Sequence, residues 1–224
     1  MQSDENVQGL EGLAILSRKY PGEIVFSTSY GQEDQVITDY IARHNLPISI
    51  FTLDTGRLFP ETYELMDKTR VRYKIPIQVM APNTGLLEEL TTQKGFHSFY
   101  ESVENRKECC RIRKIEPLRR ALTGKKVWVT GLRAEQSENR QTMKAWEWDP
   151  GFELHKFNPL MDWTLEEVVE YIEQNRVPDN PLHRKGFVSI GCAPCTRAIQ
   201  SGEHPRAGRW WWEDSKKECG LHAG

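Results

Sequence analysis

The chain has 224 residues, of which 28% are charged and 38% hydrophobic, and its formal net charge is −2. This length suffices for one domain with a sizeable core, and the near-neutral charge argues against a nucleic-acid-binding protein. No run approaches the ~20 apolar residues of a membrane span, and no secretion signal is visible, so we expect no membrane association. Five cysteines, an odd number, argue against a disulfide framework and predict a reducing, cytoplasmic location.

Predicted strands and helices alternate along most of the chain. Apolar runs predict strands at 24–26, 48–53, 75–80, 126–130 and 154–157. A capping box at Thr164 and Glu167 opens a later helix, whose buried face we assign to Leu165, Val168, Val169 and Ile172. The alternation predicts an α/β layered fold with a mainly parallel, twisted sheet. We expect a single domain over residues 1–202 and a mobile C-terminal tail over 203–224.

Three polar loops follow predicted strands, at 27–34, 53–56 and 131–140. Ligands on parallel sheets bind at the carboxyl ends of the strands, so these loops are expected to converge. The first loop contains hydroxyl groups and a glycine and leads into a helix, an arrangement that presents backbone N–H groups to an anion. An ordinary strand-to-helix turn capped by serine is the alternative, and this loop alone does not decide between them.

The cysteines form two pairs and one solitary residue. Cys192 and Cys195 have the spacing that lets two sulfurs converge on one metal centre. Cys109 and Cys110 are adjacent, and on a helix their side chains diverge by about 100°. Diverging thiolates suit an iron–sulfur cluster better than a single small ion. Zinc, a redox dithiol and unrelated buried thiols remain alternatives at this stage.

The C-terminal segment is basic and aromatic. Lys and Arg cluster at 106–120 and 206–217, and such clusters can bind a small anion without making the whole protein basic. Three consecutive tryptophans stand at 210–212, and we expect them to anchor this segment by burial. The fifth cysteine, Cys219, follows shortly afterwards.

These motifs together resemble assimilatory adenylyl-sulfate (APS) reductases, over about residues 20–222. The matching stretches are Leu53–Gly56, Cys109–Cys110 with Arg113 and Lys114, Asn158–Leu160, Gly191–Thr196 and Lys217–His222. The resemblance implies an adenine nucleotide α-hydrolase-like fold and a 4Fe–4S cluster. It also implies reduction of APS to sulfite and AMP with thioredoxin as electron donor, in sulfate assimilation and cysteine biosynthesis.

The resemblance also assigns roles to individual residues. The implied cluster ligands are Cys109, Cys110, Cys192 and Cys195. Cys219 becomes the nucleophile, with Lys114 as a further catalytic residue. We add His222 as a candidate that assists the Cys219 thiolate, and a solvated, inert histidine is the alternative. The implied substrate-binding residues are Ser27, Ser29, Gly31, Asp34, Leu53, Thr55, Gly56, Gly131, Arg140, Arg206 and Arg209.

One departure affects substrate choice. APS reductases often have Phe-Ser-Gly-Ala-Glu-Asp in the first loop, whereas residues 27–34 are closer to the loop of enzymes that act on the 3′-phosphorylated substrate, PAPS. PAPS or dual specificity is therefore the alternative. Two further classes, an ATP-dependent adenylating or sulfurtransferase enzyme and a non-enzymatic iron–sulfur sensor, would not need Cys219 on a basic tail. The sequence does not decide the oligomeric state, and a homo-oligomer is one alternative.

Overall fold

The structure is a computed structural model that describes residues 4–136 and 143–213. Arg140, Cys219 and His222, three of the predicted site residues, lie outside the described residues. None of the helices within the described ranges has the length and apolar character needed to cross a bilayer.

Helices and strands alternate as the sequence predicts. The helices are α1 (Glu11–Lys19), α2 (Gln32–Arg43), α3 (Pro60–Tyr73), α4 (Thr84–Lys94), α5 (Val103–Cys110), α6 (Glu116–Leu122) and α7 (Leu165–Asn175). The strands are β1 (Ile24–Thr28), β2 (Ser49–Leu53), β3 (Ile77–Met80), β4 (Val127–Val129), β5 (Trp146–Asp149) and β6 (Leu154–Phe157). Short 3₁₀ turns occupy Asp4–Asn6, Ser98–Tyr100, Ala134–Gln136, His183–Lys185 and Ala193–Cys195, and a π-helical turn occupies Arg111–Ile115.

The six strands form one sheet in the order β3-β2-β1-β4-β6-β5. β1 runs parallel to β2 and β4, β4 runs parallel to β6, and β5 runs antiparallel to β6. The prediction of an α/β fold with a mainly parallel sheet is confirmed. The edge strand β5 was not predicted, although Trp146 and Trp148 alternate with acidic residues at the period of two that is typical of a strand.

Contacts within the chain divide it into two compact units. The first comprises Met1–Thr52, Thr62–Gln78 and Gly124–Asn180, and the second comprises Leu53–Glu61, Val79–Thr123 and Pro181–Gly224. The predicted boundary between a domain over 1–202 and a tail over 203–224 stays a prediction. Within the described part of that tail, Trp210 is only 1% exposed and belongs to the buried cluster of the second unit.

The first unit is built around the two central strands. Ile24–Phe26 in β1 and Val127–Val129 in β4 are at most 3% exposed, as expected for parallel strands covered on both faces. The capping box of α7 is present, with Thr164 Oγ1 accepting from the Glu167 N–H at 3.2 Å and Glu167 Oε2 accepting from the Thr164 N–H at 2.7 Å. Leu165, predicted to be buried, is 37% exposed because it lies in the first turn beyond the core.

The second unit contains the segment that carries the adjacent cysteines. Cys109 and Cys110 lie on α5, which begins at Val103, where Ser102 Oγ accepts from the Asn105 N–H at 3.1 Å. The cysteines therefore end α5, and the π-helical turn follows them directly. π-Helical turns are rare and occur frequently at functional sites.

Candidate active site

In the first unit, the loop after β1 folds around one carboxylate. Asp34 Oδ2 accepts hydrogen bonds from the Ser29 N–H at 2.5 Å and from Ser29 Oγ at 2.7 Å. The N-cap of α2 is Gly31, which has no side chain to cap the helix, so a serine cap does not form. Ser27 lies in β1, and its Oγ accepts from Trp128 Nε1 at 2.8 Å.

Asp34 is also close to the backbone of the loop after β4. A Cβ added to Gly131 would lie 2.2 Å from Asp34 Oδ1, so a side chain there would collide with the carboxylate. Burial raises the pKa of Asp34 to about 7, although the two hydrogen bonds from Ser29 oppose the shift. The fold thus brings Ser29, Asp34 and Gly131 together from two of the predicted loops.

Arg133 holds this second loop in place, and sequence analysis missed it. Its side chain is 5% exposed, and it pairs with Glu33 and with Glu135 at 2.8 Å each. Glu33 Oε1 also accepts from Gln136 Nε2 at 2.8 Å. A buried guanidinium between two carboxylates fixes the loop after β4 against the first turn of α2. The sequence feature that could have identified Arg133 is its position two residues after Gly131, at the end of a predicted strand.

In the second unit, the Cys192–Cys195 segment forms a tight turn. The Cys195 N–H and Thr196 Oγ1 both donate to the Cys192 carbonyl at 2.9 Å. The Ala193 N–H donates to the Arg57 carbonyl at 2.8 Å, which ties the turn to the loop after β2. These bonds satisfy the backbone locally and leave the sulfurs available as ligands.

Three thiols from the two cysteine motifs share one buried cluster. Cys109, Cys192 and Cys195 are 9%, 8% and 8% exposed, and they pack with Phe99, Ile112 and Trp210. Cys110 is half-buried, and Cys109, Cys192 and Cys195 are free thiols. The fold therefore brings together motifs that are more than 80 residues apart in the sequence.

The electrostatics of this cluster resist ionisation of Cys109 and Cys195. Burial raises the pKa of Cys109, although Arg57 and Arg113 oppose the shift. Burial, and then the neighbouring Cys192, raise the pKa of Cys195 to about 12, although Arg209 and Lys114 oppose it. Such thiols ionise when a metal centre supplies the compensating charge.

The residues around the thiols are chemically compatible with a sulfide-containing cluster. Within residues 4–136 and 143–213, no three His, Cys, Asp or Glu side chains are placed to hold one metal ion. Four buried N–H groups around the thiols have no hydrogen-bond acceptor among the described atoms, namely Arg113 Nε, Arg209 Nε, Trp210 Nε1 and Trp212 Nε1. Unsatisfied buried donors are unfavourable, and iron–sulfur clusters accept hydrogen bonds at their sulfurs.

The loop after β2 packs directly on the thiols. Thr55 Oγ1 lies 3.2 Å from Cys192 Sγ, and Arg113 NH1 donates to the Thr55 carbonyl at 2.6 Å. Gly56 has a positive φ of +67°, and its N–H donates to Asp54 Oδ1 at 2.8 Å. Leu53 is the last residue of β2, and its predicted backbone contact with a nucleoside stays a prediction.

Two basic side chains, Lys114 and Arg209, lie near the same cluster. Lys114 lies in the π-helical turn, close enough to lower the pKa of Cys195. Arg209 is 6% exposed and packs on Gly191, where an added Cβ would lie 2.5 Å from the guanidinium. Arg206 is half-buried, and its N–H donates to His204 Nδ1 at 3.1 Å. These cations can stabilise an anion or a thiolate.

Arg57 is a basic residue that sequence analysis missed. Its guanidinium lies 4.8 Å from the Phe99 ring centroid and donates to the Phe96 carbonyl. Burial and then Arg113 lower its pKa, whereas the neighbouring thiols raise it. The sequence feature that could have identified Arg57 is its position directly after the Leu53–Gly56 motif.

Comparisons with known proteins agree with this arrangement of motifs. The family described as "Phosphoadenosine phosphosulfate reductase domain" matches residues 23–198. A relative from Allochromatium vinosum, named adenosine 5'-phosphosulfate reductase, is 55% identical over 200 residues, which cover 89% of this chain and 78% of that protein. One of the same name from Agrobacterium fabrum is 50% identical over 202 residues, covering 90% and 78%.

Comparison with solved structures identifies the same fold. A phosphoadenylyl-sulfate (PAPS) reductase from Candida auris superposes with a TM-score of 0.73 at 26% identity, covering 88% of this chain and 94% of that one. An FMN adenylyltransferase from Candida glabrata superposes with a TM-score of 0.58 at 17% identity, covering 93% and 71%, and shares the fold alone. From its sequence and its fold, the chain belongs to the phosphoadenosine phosphosulfate reductase family.

Proposed function

We propose that the chain is an adenosine 5'-phosphosulfate reductase, which reduces APS to sulfite and AMP in sulfate assimilation. The observation that carries this proposal is the shared burial of Cys109, Cys192 and Cys195 in a chain 55% identical to a reductase of that name. Thioredoxin is the proposed electron donor. A cytoplasmic location is part of the proposal, since Cys109, Cys192 and Cys195 are free thiols.

The proposed cofactor is a 4Fe–4S cluster held by Cys109, Cys110, Cys192 and Cys195. Support comes from the sulfur-only donor set and from the four unsatisfied N–H groups around it. When bound, the cluster would supply structural cross-linking and electrostatic stabilisation, because both electrons of the reaction come from thiols.

Cys219 is the proposed nucleophile. APS is a mixed anhydride of phosphate and sulfate, so its sulfur is electrophilic and AMP is the leaving group. The Cys219 thiolate forms a bond to that sulfur while the bond from sulfur to the phosphate oxygen breaks, which yields S-sulfocysteine and AMP. A thioredoxin thiolate then attacks Cys219 Sγ and releases sulfite, and the second thioredoxin thiol resolves the mixed disulfide.

The basic residues of the second unit would stabilise negative charge in this reaction. A thiolate must approach a dianionic phosphosulfate, and Lys114, Arg206 and Arg209 offset that repulsion. The same cations stabilise the charge that develops on the leaving phosphate. We assign Arg140 to the same task, and we assign His222 to assist Cys219; both lie outside the described residues.

PAPS reduction is the second candidate function. The loop at 27–34 and the likeness to the Candida auris PAPS reductase favour it. The presence of all four cysteines of the cluster motif favours APS, because PAPS enzymes usually lack them. A site shaped for a free 3′-hydroxyl disfavours an added phosphate through steric and charge terms.

The test is sulfite production from APS and PAPS in parallel, with thioredoxin and anaerobically purified protein. We expect a higher kcat/KM for APS, and equal or higher kcat/KM for PAPS would reverse the assignment. Without thioredoxin, APS should add one SO₃ group at residue 219, visible by mass spectrometry. Cys219→Ser should keep the iron yet lose sulfite release. Stoichiometric zinc without inorganic sulfide would rule out the proposed cluster.

A further inference from the structure

A pocket in the second unit reaches the cysteine turn. It has a volume of about 470 Å³, and its lining residues are Arg57, Leu58, Phe96, His97, Ala193 and Pro194. Ala193 and Pro194 are the two residues between Cys192 and Cys195, two of the proposed cofactor ligands. Phe96 is 68% exposed, so this side of the pocket faces solvent. Solutes can therefore approach the turn from this pocket.

Arg57 lies between the pocket and the buried thiols. Its guanidinium donates to the Phe96 carbonyl and stacks 4.8 Å from the centroid of the Phe99 ring. Phe99 is 1% exposed and packs with three of the thiols in the buried cluster. The Arg57 carbonyl accepts from the Ala193 N–H at 2.8 Å, which holds the main chain of Arg57 against the same turn. Both ends of this residue are thus fixed beside the proposed cofactor site.

The charge of Arg57 is held without being neutralised. The carbonyl and the ring that hold its guanidinium are both neutral groups. Within the described ranges no carboxylate forms an ion pair with it, whereas the buried Arg106 forms a bidentate pair with Glu213 at 3.0 and 2.9 Å. Burial and then Arg113 lower the pKa of Arg57, and the three thiols raise it, so its charge acts on them. A fixed cation beside an open pocket attracts anions.

We propose that this pocket is an anion-selective approach to the cofactor, and that Arg57 supplies its charge. Thiolate ligands carry negative charge, which repels anions. Arg57 offsets that repulsion on the pocket side, so a small anion such as hydrosulfide reaches the turn faster than a neutral molecule of similar size. This inference rests on the proposed function, because it requires a cofactor at these thiols.

The test compares two iron chelators on the anaerobic holoenzyme. Bipyridine is neutral and bipyridine dicarboxylate is anionic, and both bind iron through the same two nitrogens. Absorbance of the iron complex gives the rate constant of iron release for each chelator. The measured quantity is the ratio of the anionic to the neutral rate constant, because a loosened structure speeds both reactions and leaves their ratio unchanged.

Arg57→Met removes the charge and keeps a side chain of similar length. We expect it to lower the ratio about two- to tenfold, the effect of one unit charge at close range in water. In 1 M salt, where the screening length is about 3 Å, the wild-type ratio should fall to a similar value. Arg57→Lys retains the charge and should keep the ratio within about twofold of the wild type.

Arg72→Met is the matched control. The Arg72 guanidinium lies 5.3 Å from the Tyr73 ring centroid and donates to the Asn175 carbonyl at 2.8 Å. It therefore makes the same two kinds of contact as Arg57, but in the first unit. Its replacement removes one positive charge from the protein and should leave the ratio at the wild-type value.

Several outcomes would overturn the role of Arg57. A wild-type ratio in Arg57→Met, a salt-independent wild-type ratio, or an equal fall in Arg72→Met would each do so. If Arg57→Met does not retain iron, Arg57→Gln provides a second neutral variant that keeps an N–H donor for the Phe96 carbonyl. Loss of iron from both neutral variants would also overturn the proposal, because Arg57 would then hold the cofactor in place. Absence of iron and inorganic sulfide from the wild-type protein would instead overturn the cofactor of the proposed function.

Discussion

The hydroxyl of Thr55 lies 3.2 Å from the sulfur of Cys192, and both residues are buried. This contact joins the loop after β2 to the Cys192–Cys195 turn, across 137 positions of sequence. Thr55 is one of the residues that the family resemblance assigns to the substrate. Its side chain instead contacts a proposed cluster ligand, so the loop after β2 links the substrate motif with the thiol centre.

Thr55→Val should weaken the cofactor site without preventing its assembly. Valine keeps the shape and removes the hydroxyl, so Cys192 Sγ loses a hydrogen-bond partner in a buried place. We expect near-normal iron content and several-fold faster loss of the visible absorbance in the presence of a chelator. Thr55→Ser, which retains the hydroxyl, is the control. Equal bleaching rates for wild type and Thr55→Val would show that this contact does not stabilise the cofactor.

Trp210→Ala should destabilise the second unit strongly. Trp210 is 1% exposed between two guanidinium groups, and truncation leaves a large cavity beside the thiols. We expect a loss of about 3–5 kcal/mol in the free energy of unfolding, measured with urea. Trp211 is 40% exposed, so Trp211→Ala should cost under about 1 kcal/mol. If Trp210→Ala and Trp211→Ala lost similar amounts of unfolding free energy, burial of Trp210 would not be what stabilises this unit.

Gly131→Ala should disturb the strand-end site of the first unit. The new Cβ would lie 2.2 Å from Asp34 Oδ1, so the carboxylate must move away from Ser29 or the loop must shift. We expect a loss of about 1–3 kcal/mol of stability and weaker AMP binding by calorimetry. Gly85→Ala, in the first turn of α4, meets only Asn83 Oδ1 at 3.5 Å, so it should keep AMP affinity unchanged and cost no stability. If Gly131→Ala bound AMP as tightly as the wild type, the loop after β4 would not contribute to nucleotide binding.

Asp34 should make stability depend on pH. Its pKa of about 7 in the folded protein lies above the ordinary 3.8, so the folded state binds this proton more tightly than the unfolded chain does. The resulting stabilisation is complete below the unfolded pKa and is lost as the pH rises through about 7. Between pH 5 and pH 8 the wild type should lose roughly 2–3 kcal/mol relative to Asp34→Asn. Urea titrations across that range measure this difference, and a constant offset between the two proteins would contradict the shift.

Several local features of this structure could be predicted from the sequence, because each depends on residues that are neighbours in the chain. The apolar runs at Ile24–Phe26 and Val127–Val129 predicted buried parallel strands, and the structure has them at the centre of the sheet. The number and spacing of the cysteines predict a metal centre with a spare thiol, and this stays a prediction, although the structure does bring Cys109, Cys192 and Cys195 into one buried cluster. The capping box at Thr164 and Glu167 also depends on neighbouring residues alone, and it forms as predicted.

The tertiary structure decided which distant groups meet. The Arg106–Glu213 pair, the contact of Thr55 with Cys192 and the approach of Gly131 to Asp34 each join residues separated by about 100 positions or more. No periodicity marks such pairs, because an arginine in a basic cluster has the same local pattern whether it is solvated or buried against a carboxylate. The π-helical turn after Cys110 could not be predicted from local helix propensity either, since it depends on how α5 and α6 pack. Burial then sets the pKa values, because desolvation depends on everything that surrounds a group and not on its neighbours in the chain.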